Sequence, residues 1–418
     1  MSRVIGRLPA SLDEQADSDE ENDADRVFAD ESVPVFPCYN QYPKKSIRLS
    51  VSKNSARLKS INLNDVPKKG VITLPIRRKG FRSLEDPFRK YKVPEEVIDV
   101  IFSNLRKRDL LAVMAVCKSF YAIGTKSKNW LTTDVMERPV SELALAGLMK
   151  RKIRVLRLAG AKADPISRVN IRLYAKTMHS QCRLEFLDLS RANLTERQLL
   201  IILKPCVKLQ CLSIEGNILS NEVARCIAAN RDLLELDISM TRGISVEGAR
   251  MIVQNCTKLE QFNASWCELD RVALDVIVHN ITGNIRKLNL SGSVRGYGLN
   301  GEHIDILSQK ADEVMDLDLS DSGELTDASI ATVIAYFPHL TQLSINRCYG
   351  IDPNMLIHLN NKASLRFLNV HGNITETNMD VFLRVCDRLR INSQLFNHTA
   401  KPVSNNEYTI WGNSMLEK

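Results

Sequence analysis

The chain has 418 residues, with 57 Lys and Arg against 49 Asp and Glu, 10 Cys and 44% hydrophobic residues, so most of it can bury a globular core. No apolar run approaches the about 18 residues that a spanning helix needs, which excludes a membrane protein from our expectations. The opening residues lack a signal-peptide core, which predicts a cytosolic or nuclear protein with reduced thiols. A disulfide scaffold is therefore not expected, and no Cys-x-x-Cys pair suggests zinc.

The net charge of +8 is distributed very unevenly along the first part of the chain. Residues 11–32 carry ten acids and one arginine, whereas residues 44–83 carry twelve bases and one acid. Sparse hydrophobic residues and several prolines predict a disordered arm over residues 1–87. The basic clusters Lys68-Lys69 and Arg77-Arg78-Lys79 are either a nuclear-import signal or a solvated linker.

An amphipathic helical module follows the arm. Ile98, Ile101, Phe102 and Leu105 have the i, i+3, i+4, i+7 spacing of one apolar stripe, and Asp109 is predicted to cap a second helix. That second helix would carry eight apolar residues that sweep roughly 220° of its circumference, against a stripe of about 100° for one neighbour. The eight are Leu110, Leu111, Val113, Met114, Val116, Cys117, Phe120 and Tyr121. Either the rest of the chain or a partner protein must cover the excess.

The order and spacing of this module resemble the F-box. The resemblance rests on Val-Pro-Glu-Glu-Val-Ile at 93–98, Ile101-Phe102, Leu105, Asp109-Leu110, Val116-Cys117-Lys118-x-Phe120 and Trp130. It implies an F-box over residues 88–135 that docks on a Skp-type adaptor bound to a cullin. The implied adaptor-binding residues are Pro94, Glu95, Ile98, Ile101, Phe102, Leu105, Leu110, Leu111, Val116, Cys117, Lys118 and Trp130.

A leucine-rich repeat with a period near 26 residues begins at Ile153. Nine copies of an L-x-x-L-x-L core follow one another at spacings within or near the range of leucine-rich repeats. The second apolar residues of the nine cores are Leu156, Leu187, Leu212, Leu236, Phe262, Leu288, Leu317, Leu343 and Leu368. The fold class is therefore α/β: a linker helix and repeats over 136–390 that stack as a solenoid with a concave parallel sheet and convex helices.

Most copies also show the start of a helix, and five cysteines recur in register with the repeat. The predicted helix caps are Thr195, Ser220, Ser245, Asp270, Thr326, Asp352 and Thr375. The cysteines that recur at fixed repeat positions are Cys206, Cys256, Cys386, Cys267 and Cys348, which favours packing rather than reactivity. The pattern resembles the cysteine-containing leucine-rich repeat of F-box proteins.

Side chains at equivalent positions of neighbouring strands form columns on the concave face. The column that follows the second leucine contains no base, and the column that precedes it contains one lysine, Lys287. A surface that binds a phosphate backbone needs several bases in one stripe, so no nucleic-acid partner is expected.

The column four residues after the second leucine carries large side chains at the rim of the solenoid. Trp266, Asp321 and Arg347, with nearby Arg295 and Tyr349, are predicted to bind a protein, because Trp, Tyr and Arg dominate interface hot spots. The alternative is that Asp321 and Arg347 only pair with each other.

A closer resemblance joins the chain to the F-box receptors that target cyclin-dependent kinase inhibitors for ubiquitination. It rests on Ser265-Trp266-Cys267, Leu317 to Ser322, Arg347-Cys348-Tyr349 and a tail over 391–418 that includes Ala400-Lys401-Pro402 and Ile410-Trp411-Gly412. It implies that the tail returns along the concave face and helps to hold a Cks-type accessory protein. Trp266, Asp321, Arg347 and Phe396 would contact that protein, and Arg295 and Tyr349 would lie near a phosphorylated substrate.

No catalytic motif accompanies these features. The seven histidines are scattered without a His-x-x-x-His pair, and neither a phosphate loop nor a Gly-x-Ser-x-Gly motif is present. We therefore expect a chain without a cofactor that is not itself an enzyme. Two functions remain: a nuclear and cytoplasmic substrate receptor of a cullin ubiquitin ligase, or a leucine-rich scaffold or inhibitor whose helical module merely caps the solenoid.

Overall fold

A computed structural model describes residues 93–140, 145, 148–149, 151–163, 182–294, 298–393, 401–402 and 409–414. All of them belong to the unit Arg82–Lys418, and the predicted arm lies outside the described residues. Within that part of the chain, the helices are α1 (Glu95–Ser103), α2 (Lys107–Met114), α3 (Lys118–Gly124), α4 (Glu196–Leu203), α5 (Asn221–Ala228), α6 (Val246–Asn255), α7 (Arg271–Asn280), α8 (Gly301–Lys310), α9 (Asp327–Tyr336), α10 (Pro353–Ile357) and α11 (Glu376–Val385).

The strands are short, mostly three residues each. They are β1 (Thr132–Asp134), β2 (Pro139–Val140), β3 (Val155–Arg157), β4 (Lys162–Ala163), β5 (Phe186–Asp188), β6 (Cys211–Ser213), β7 (Glu235–Asp237), β8 (Gln261–Asn263), β9 (Lys287–Asn289), β10 (Asp316–Asp318), β11 (Gln342–Ser344), β12 (Phe367–Asn369), β13 (Arg390–Ile391), β14 (Thr409–Ile410) and β15 (Asn413–Ser414).

Eleven of the described strands form one parallel sheet, in the order β1, β3 and then β5 to β13. The register confirms the reading of the repeats, because each second leucine faces the second leucine of the next copy, as Leu156 faces Leu187 and Leu317 faces Leu343. These leucines are fully buried between the sheet and the helices. The predicted α/β solenoid is therefore confirmed.

Side-chain caps start most of the repeat helices where the sequence predicts them. Thr195 accepts a hydrogen bond from the Gln198 backbone, and the Gln198 side chain accepts one from the Thr195 backbone. The side chains of Ser220, Ser245 and Asp270 each accept the backbone N–H three residues later, without the reciprocal bond. Thr375 occupies the predicted N-cap position of α11, although its side chain makes no capping hydrogen bond there.

The first helices differ from the prediction in where they break and where they begin. The predicted second helix is broken into α2 and α3, because Cys117 is extended and its sulfur accepts the Phe120 N–H at 3.4 Å. Helix α2 also begins two residues before Asp109, which lies in its first turn instead of capping it. Phe120 and Tyr121 therefore lie on a different helix from Leu110 and Leu111. The eight apolar side chains do not form one sweep of 220° around a single helix.

The helical module and the solenoid share one apolar core. Strand β1 follows the module directly and pairs with β3 as the first strand of the sheet. Trp130 is buried next to it: its Nε1–H donates to the Gly124 carbonyl at 2.7 Å, and the Arg151 guanidinium lies 4.6 Å from its ring centroid. The module therefore covers the first end of the solenoid.

Candidate protein-interaction surfaces

One face of the helical module is apolar and uncovered. Ile101 is 52% exposed on α1 and Val116 is 69% exposed between α2 and α3. The other large apolar residues exposed here are Val97, Val100, Leu111, Tyr121 and Leu131. Contiguous apolar surface of this kind marks a site for a protein partner.

The opposite face of the module is covered by the chain itself. Ile98, Phe102, Leu110 and Trp130 are almost completely buried in the shared core. The explanation that the rest of the chain covers the apolar surface is therefore correct for this face. That these four residues contact an adaptor stays a prediction; in the free chain their side chains support the helices from inside.

The remaining predicted adaptor residues lie nearer the surface. Pro94, Glu95 and Lys118 are exposed, whereas Leu105 and Cys117 are half-buried. Glu95 and Asp99 of α1 both bind Lys126, at 2.5 Å and 2.9 Å, which ties the start of α1 to the segment after α3. The uncovered face is thus held on a fixed set of helices. Four of its exposed residues were missing from the predicted set, namely Val97, Val100, Tyr121 and Leu131.

A second candidate surface is the rim of the solenoid, where every residue of one column has a positive φ. Its members are Gly160, Arg191, Gly216, Met240, Trp266, Gly292, Asp321, Arg347 and Gly372. The backbone N–H of each turn reaches the next repeat, as that of Trp266 donates to the Ser291 carbonyl at 3.0 Å. Such backbone favours glycine, and a larger residue costs about 1–2 kcal/mol. Large side chains retained in strained positions indicate a functional surface.

Trp266 is the most prominent side chain of this column. It is 49% exposed, and its indole packs on Gly292 of the next repeat, where a Cβ would lie 2.8 Å from the ring. Because Gly292 has no side chain, the indole packs directly against its backbone, and about half of Trp266 remains exposed to solvent. A half-exposed indole in a fixed orientation is typical of a hot spot in an interface.

Asp321 and Arg347 form the ion pair that the alternative reading predicted. Arg347 Nε lies 2.5 Å from Asp321 Oδ1, and Arg347 Nη2 lies 2.6 Å from Oδ2. Half of the arginine side chain and most of Tyr349, which is 72% exposed, remain open to solvent. The pair therefore both links two repeats and presents a polar surface. Arg295 and Phe396 lie outside the described residues.

The C-terminal tail touches the concave face in two places. Lys401 Nζ lies 3.3 Å from Glu215 Oε1, and the same oxygen is 3.0 Å from Arg191 Nη2. Ile410 is buried against Val155 of β3, and the Trp411 ring lies 6.3 Å from that of Phe186. The tail therefore returns to the first repeats, as the resemblance implied. These contacts occupy the concave face that a partner would otherwise reach.

The column after the second leucine is not a free surface. Asp188, Asp237, Asn263, Asn289 and Asp318 each accept the backbone N–H of the serine two residues later, at 2.9–3.0 Å. These side chains are buried and stabilise the turns at the ends of the strands. Burial raises the pKa of Asp237 to about 6, although its hydrogen bonds with Ser239 act in the opposite direction.

Asp237→Asn is expected to stabilise the fold by about 1–2 kcal/mol at pH 7.5 and by less at pH 5. In the folded state Asp237 has a pKa of about 6, against an ordinary value of 3.8, so the stabilising contribution of its proton is lost as the pH rises through 6. An asparagine already performs this role in the next repeat, at Asn263. Urea unfolding at both pH values measures the change. Asn263→Asp is the matched control and is expected to destabilise at pH 7.5; equal stability of Asp237→Asn and wild type at pH 7.5 would contradict the account.

Two family models match the chain. The model described as the SKP2 LRR domain matches residues 143–417, and an F-box-like model matches residues 91–133. The chain belongs to the SKP2-type family of F-box proteins with leucine-rich repeats. This architecture is typical of non-catalytic substrate receptors of SCF-like ubiquitin ligases, and an F-box implies binding to a Skp-type adaptor.

Two solved structures are similar to this SKP2-type chain at low identity. The Rad7 and Elc1 complex in yeast matches with 17% identity and a TM-score of 0.41, over 73% of this chain and 82% of the other. An internalin (inlF) from Listeria monocytogenes str. 4b F2365 matches with 13% identity and a TM-score of 0.39, over 65% of this chain and 89% of the other. Both TM-scores are below 0.5, so neither structure informs the surfaces of the SKP2-type chain.

Neither a metal-binding group nor a membrane-spanning helix is found in the described part of the SKP2-type chain. No group of three or more His, Cys, Asp or Glu side chains is arranged to hold a metal ion there. No helix among those residues has the length and apolar character needed to cross a membrane.

Proposed function

We propose that the chain is the substrate-recognition subunit of an SCF ubiquitin ligase, acting in the nucleus and cytoplasm on phosphorylated cell-cycle regulators such as cyclin-dependent kinase inhibitors. The single observation that carries the proposal is the division of the F-box into two faces. One face is buried on the solenoid, and the other presents Ile101 and Val116 to solvent. Because the F-box shares a core with the solenoid, a substrate bound to the solenoid would be held at a fixed position relative to the adaptor.

The scaffold or inhibitor alternative accounts for only one of these faces. A module that merely caps the solenoid needs the buried contacts of Leu110 and Trp130, which the structure contains. It gives no reason for the exposure of Val100, Ile101 and Val116, which are 62%, 52% and 69% exposed, and exposed apolar patches of this kind mark sites for partners. The uncovered face therefore favours the receptor.

The rim is the proposed site of the Cks-type accessory protein. Trp266, Asp321 and Arg347 lie in one column over four successive repeats, in which Gly292 separates Trp266 from Asp321, and the family resemblance adds Phe396 of the tail. Tyr349 extends beside Arg347, and with Arg295 it would face the phosphorylated substrate. Aromatic rings and one charged pair are suited to binding a protein partner, and that partner would itself bind the phosphate group of the substrate.

Reconstituted ubiquitin transfer tests this proposal. The full chain would be combined with a Skp-type adaptor, a cullin with its RING subunit, a charged ubiquitin-conjugating enzyme and a phosphorylated kinase inhibitor, with and without a Cks-type protein. We expect ubiquitin chains on the phosphorylated inhibitor and none on the unphosphorylated one. The Ile101→Lys chain is the control that should be inactive. Equal modification in mixtures that lack the chain would refute the proposal.

A further inference from the structure

Two cysteines of neighbouring repeats lie in contact at the start of the solenoid. Cys182 precedes β5 and Cys206 lies between α4 and β6, and their Sγ atoms are 3.6 Å apart. Cys206 is one of the cysteines that recur in register, whereas Cys182 occupies no repeat position. Packing of the repeat therefore accounts for one thiol of the pair and leaves the other without an assigned role.

The two thiols differ in access and acidity. Cys206 is buried, whereas Cys182 is half-buried and therefore accessible to small solutes. The Cys206 S–H can donate to the Ile202 carbonyl at 3.0 Å or to Cys182 Sγ. Once Cys182 ionises, the thiolate is the stronger acceptor, so this hydrogen bond lowers the pKa of Cys182.

The other described cysteines lack this combination. Burial raises the pKa of the Cys256, Cys267 and Cys348 thiols to about 12, so these groups stay protonated. Burial also raises the pKa of Cys226, which is half-buried on α5. A thiolate that is accessible and touches a second thiol is the arrangement of a redox-sensitive cysteine with its resolving partner.

We propose that Cys182 and Cys206 form a reversible disulfide in response to peroxide, which ties the entry of β5 to the loop before β6. The Cys182 thiolate attacks one oxygen of hydrogen peroxide, the O–O bond breaks, and hydroxide leaves and takes up a proton to become water. The Cys206 sulfur then attacks the Cys182 sulfenic acid, and its proton leaves with the hydroxyl as a second water. Two thiols lose two electrons in total, and peroxide gains them.

The geometry requires only a small movement. A disulfide has an S–S distance of about 2.0 Å, so the sulfurs must approach by about 1.6 Å. Cys182 lies outside any helix or strand and packs at the border of the core, so a change in its side-chain rotamer does not require the sheet to open. The bond would close a loop that contains β5 and α4, and so restrict opening of the first repeats.

Peptide mapping of the full chain tests the proposal. The protein, bound to its adaptor where that is needed for solubility, is treated with hydrogen peroxide, free thiols are blocked with N-ethylmaleimide, and non-reduced peptides are measured by mass spectrometry. We expect a Cys182–Cys206 linked pair that is two hydrogens lighter than the separate peptides and disappears with dithiothreitol. In Cys206→Ser, Cys182 should instead be trapped as a sulfenic acid by dimedone. Cys226→Ser is the matched control and should link as wild type does.

A second measurement does not depend on any variant. Iodoacetamide should modify Cys182 about tenfold faster than Cys226 at pH 7, because the thiolate is the reactive form. Two results would overturn the proposal: both cysteines recovered as free thiols after peroxide treatment, or Cys182 linked mainly to a cysteine other than Cys206.

Discussion

Replacing Ile101 with lysine is expected to abolish binding of a Skp-type adaptor while the chain stays folded. Ile101 is half-exposed in the middle of the uncovered F-box face, so a lysine is tolerated in the free chain. In the complex the ammonium group would be buried in an apolar interface, at a cost of about 2 kcal/mol or more, which is at least about 30-fold in affinity. Titration calorimetry with the purified adaptor measures the loss.

Two further variants make this result specific. Val207→Lys places the same charge at an equally exposed apolar residue of the solenoid and should bind the adaptor as wild type does. Ile98→Lys differs, because Ile98 is only 6% exposed and a lysine there should unfold the F-box itself. Unchanged affinity of Ile101→Lys for the adaptor would show that the uncovered face is not the adaptor site.

Exchange of the rim ion pair should separate its two roles. Asp321→Arg or Arg347→Ala alone both breaks an ion pair between neighbouring repeats and changes the charge of the surface. Neither single variant can therefore separate a loss of stability from a loss of binding. In the double variant Asp321→Arg with Arg347→Asp, the pair can form again in the opposite sense, because both positions share the same left-handed turn. We expect its melting temperature to return close to the wild-type value.

Binding of a Cks-type protein is expected to respond differently. If the partner reads the rim, the exchanged charges should weaken binding by about 1.4 kcal/mol or more, which is at least about tenfold, even though the pair is intact. Pull-down with a Cks-type protein, calibrated by titration, gives the comparison. Recovery of both stability and binding in the double variant would mean that the pair serves the fold alone.

Local patterns made most of the fold predictable. Each second leucine repeats at nearly constant spacing, so the strand register followed from the sequence, and the caps at Ser220 and Ser245 marked the helix starts. The break between α2 and α3 was missed, because Val116 and Cys117 continue the apolar pattern across it. A periodic pattern shows which residues are apolar, but a single extended residue that redirects the chain leaves the pattern unchanged.

Other features depend on contacts between distant residues. Lys401 meets Glu215 across 186 positions, and nothing near either residue indicates the other. The burial of Ile98 next to the exposure of Ile101 depends on how the F-box is placed against the solenoid, which spacing alone does not determine. The left-handed rim was only partly marked in the sequence, because glycine occupies four of its nine positions and residues such as Trp266 and Arg347 occupy the others.

The most direct test of the central claim is native mass spectrometry of the full chain co-expressed with a Skp-type adaptor and purified through a tag on the chain. The account predicts a complex of one chain and one adaptor for the wild type and for Val207→Lys, and the free chain for Ile101→Lys. Recovery of the folded wild-type chain without the adaptor would contradict it.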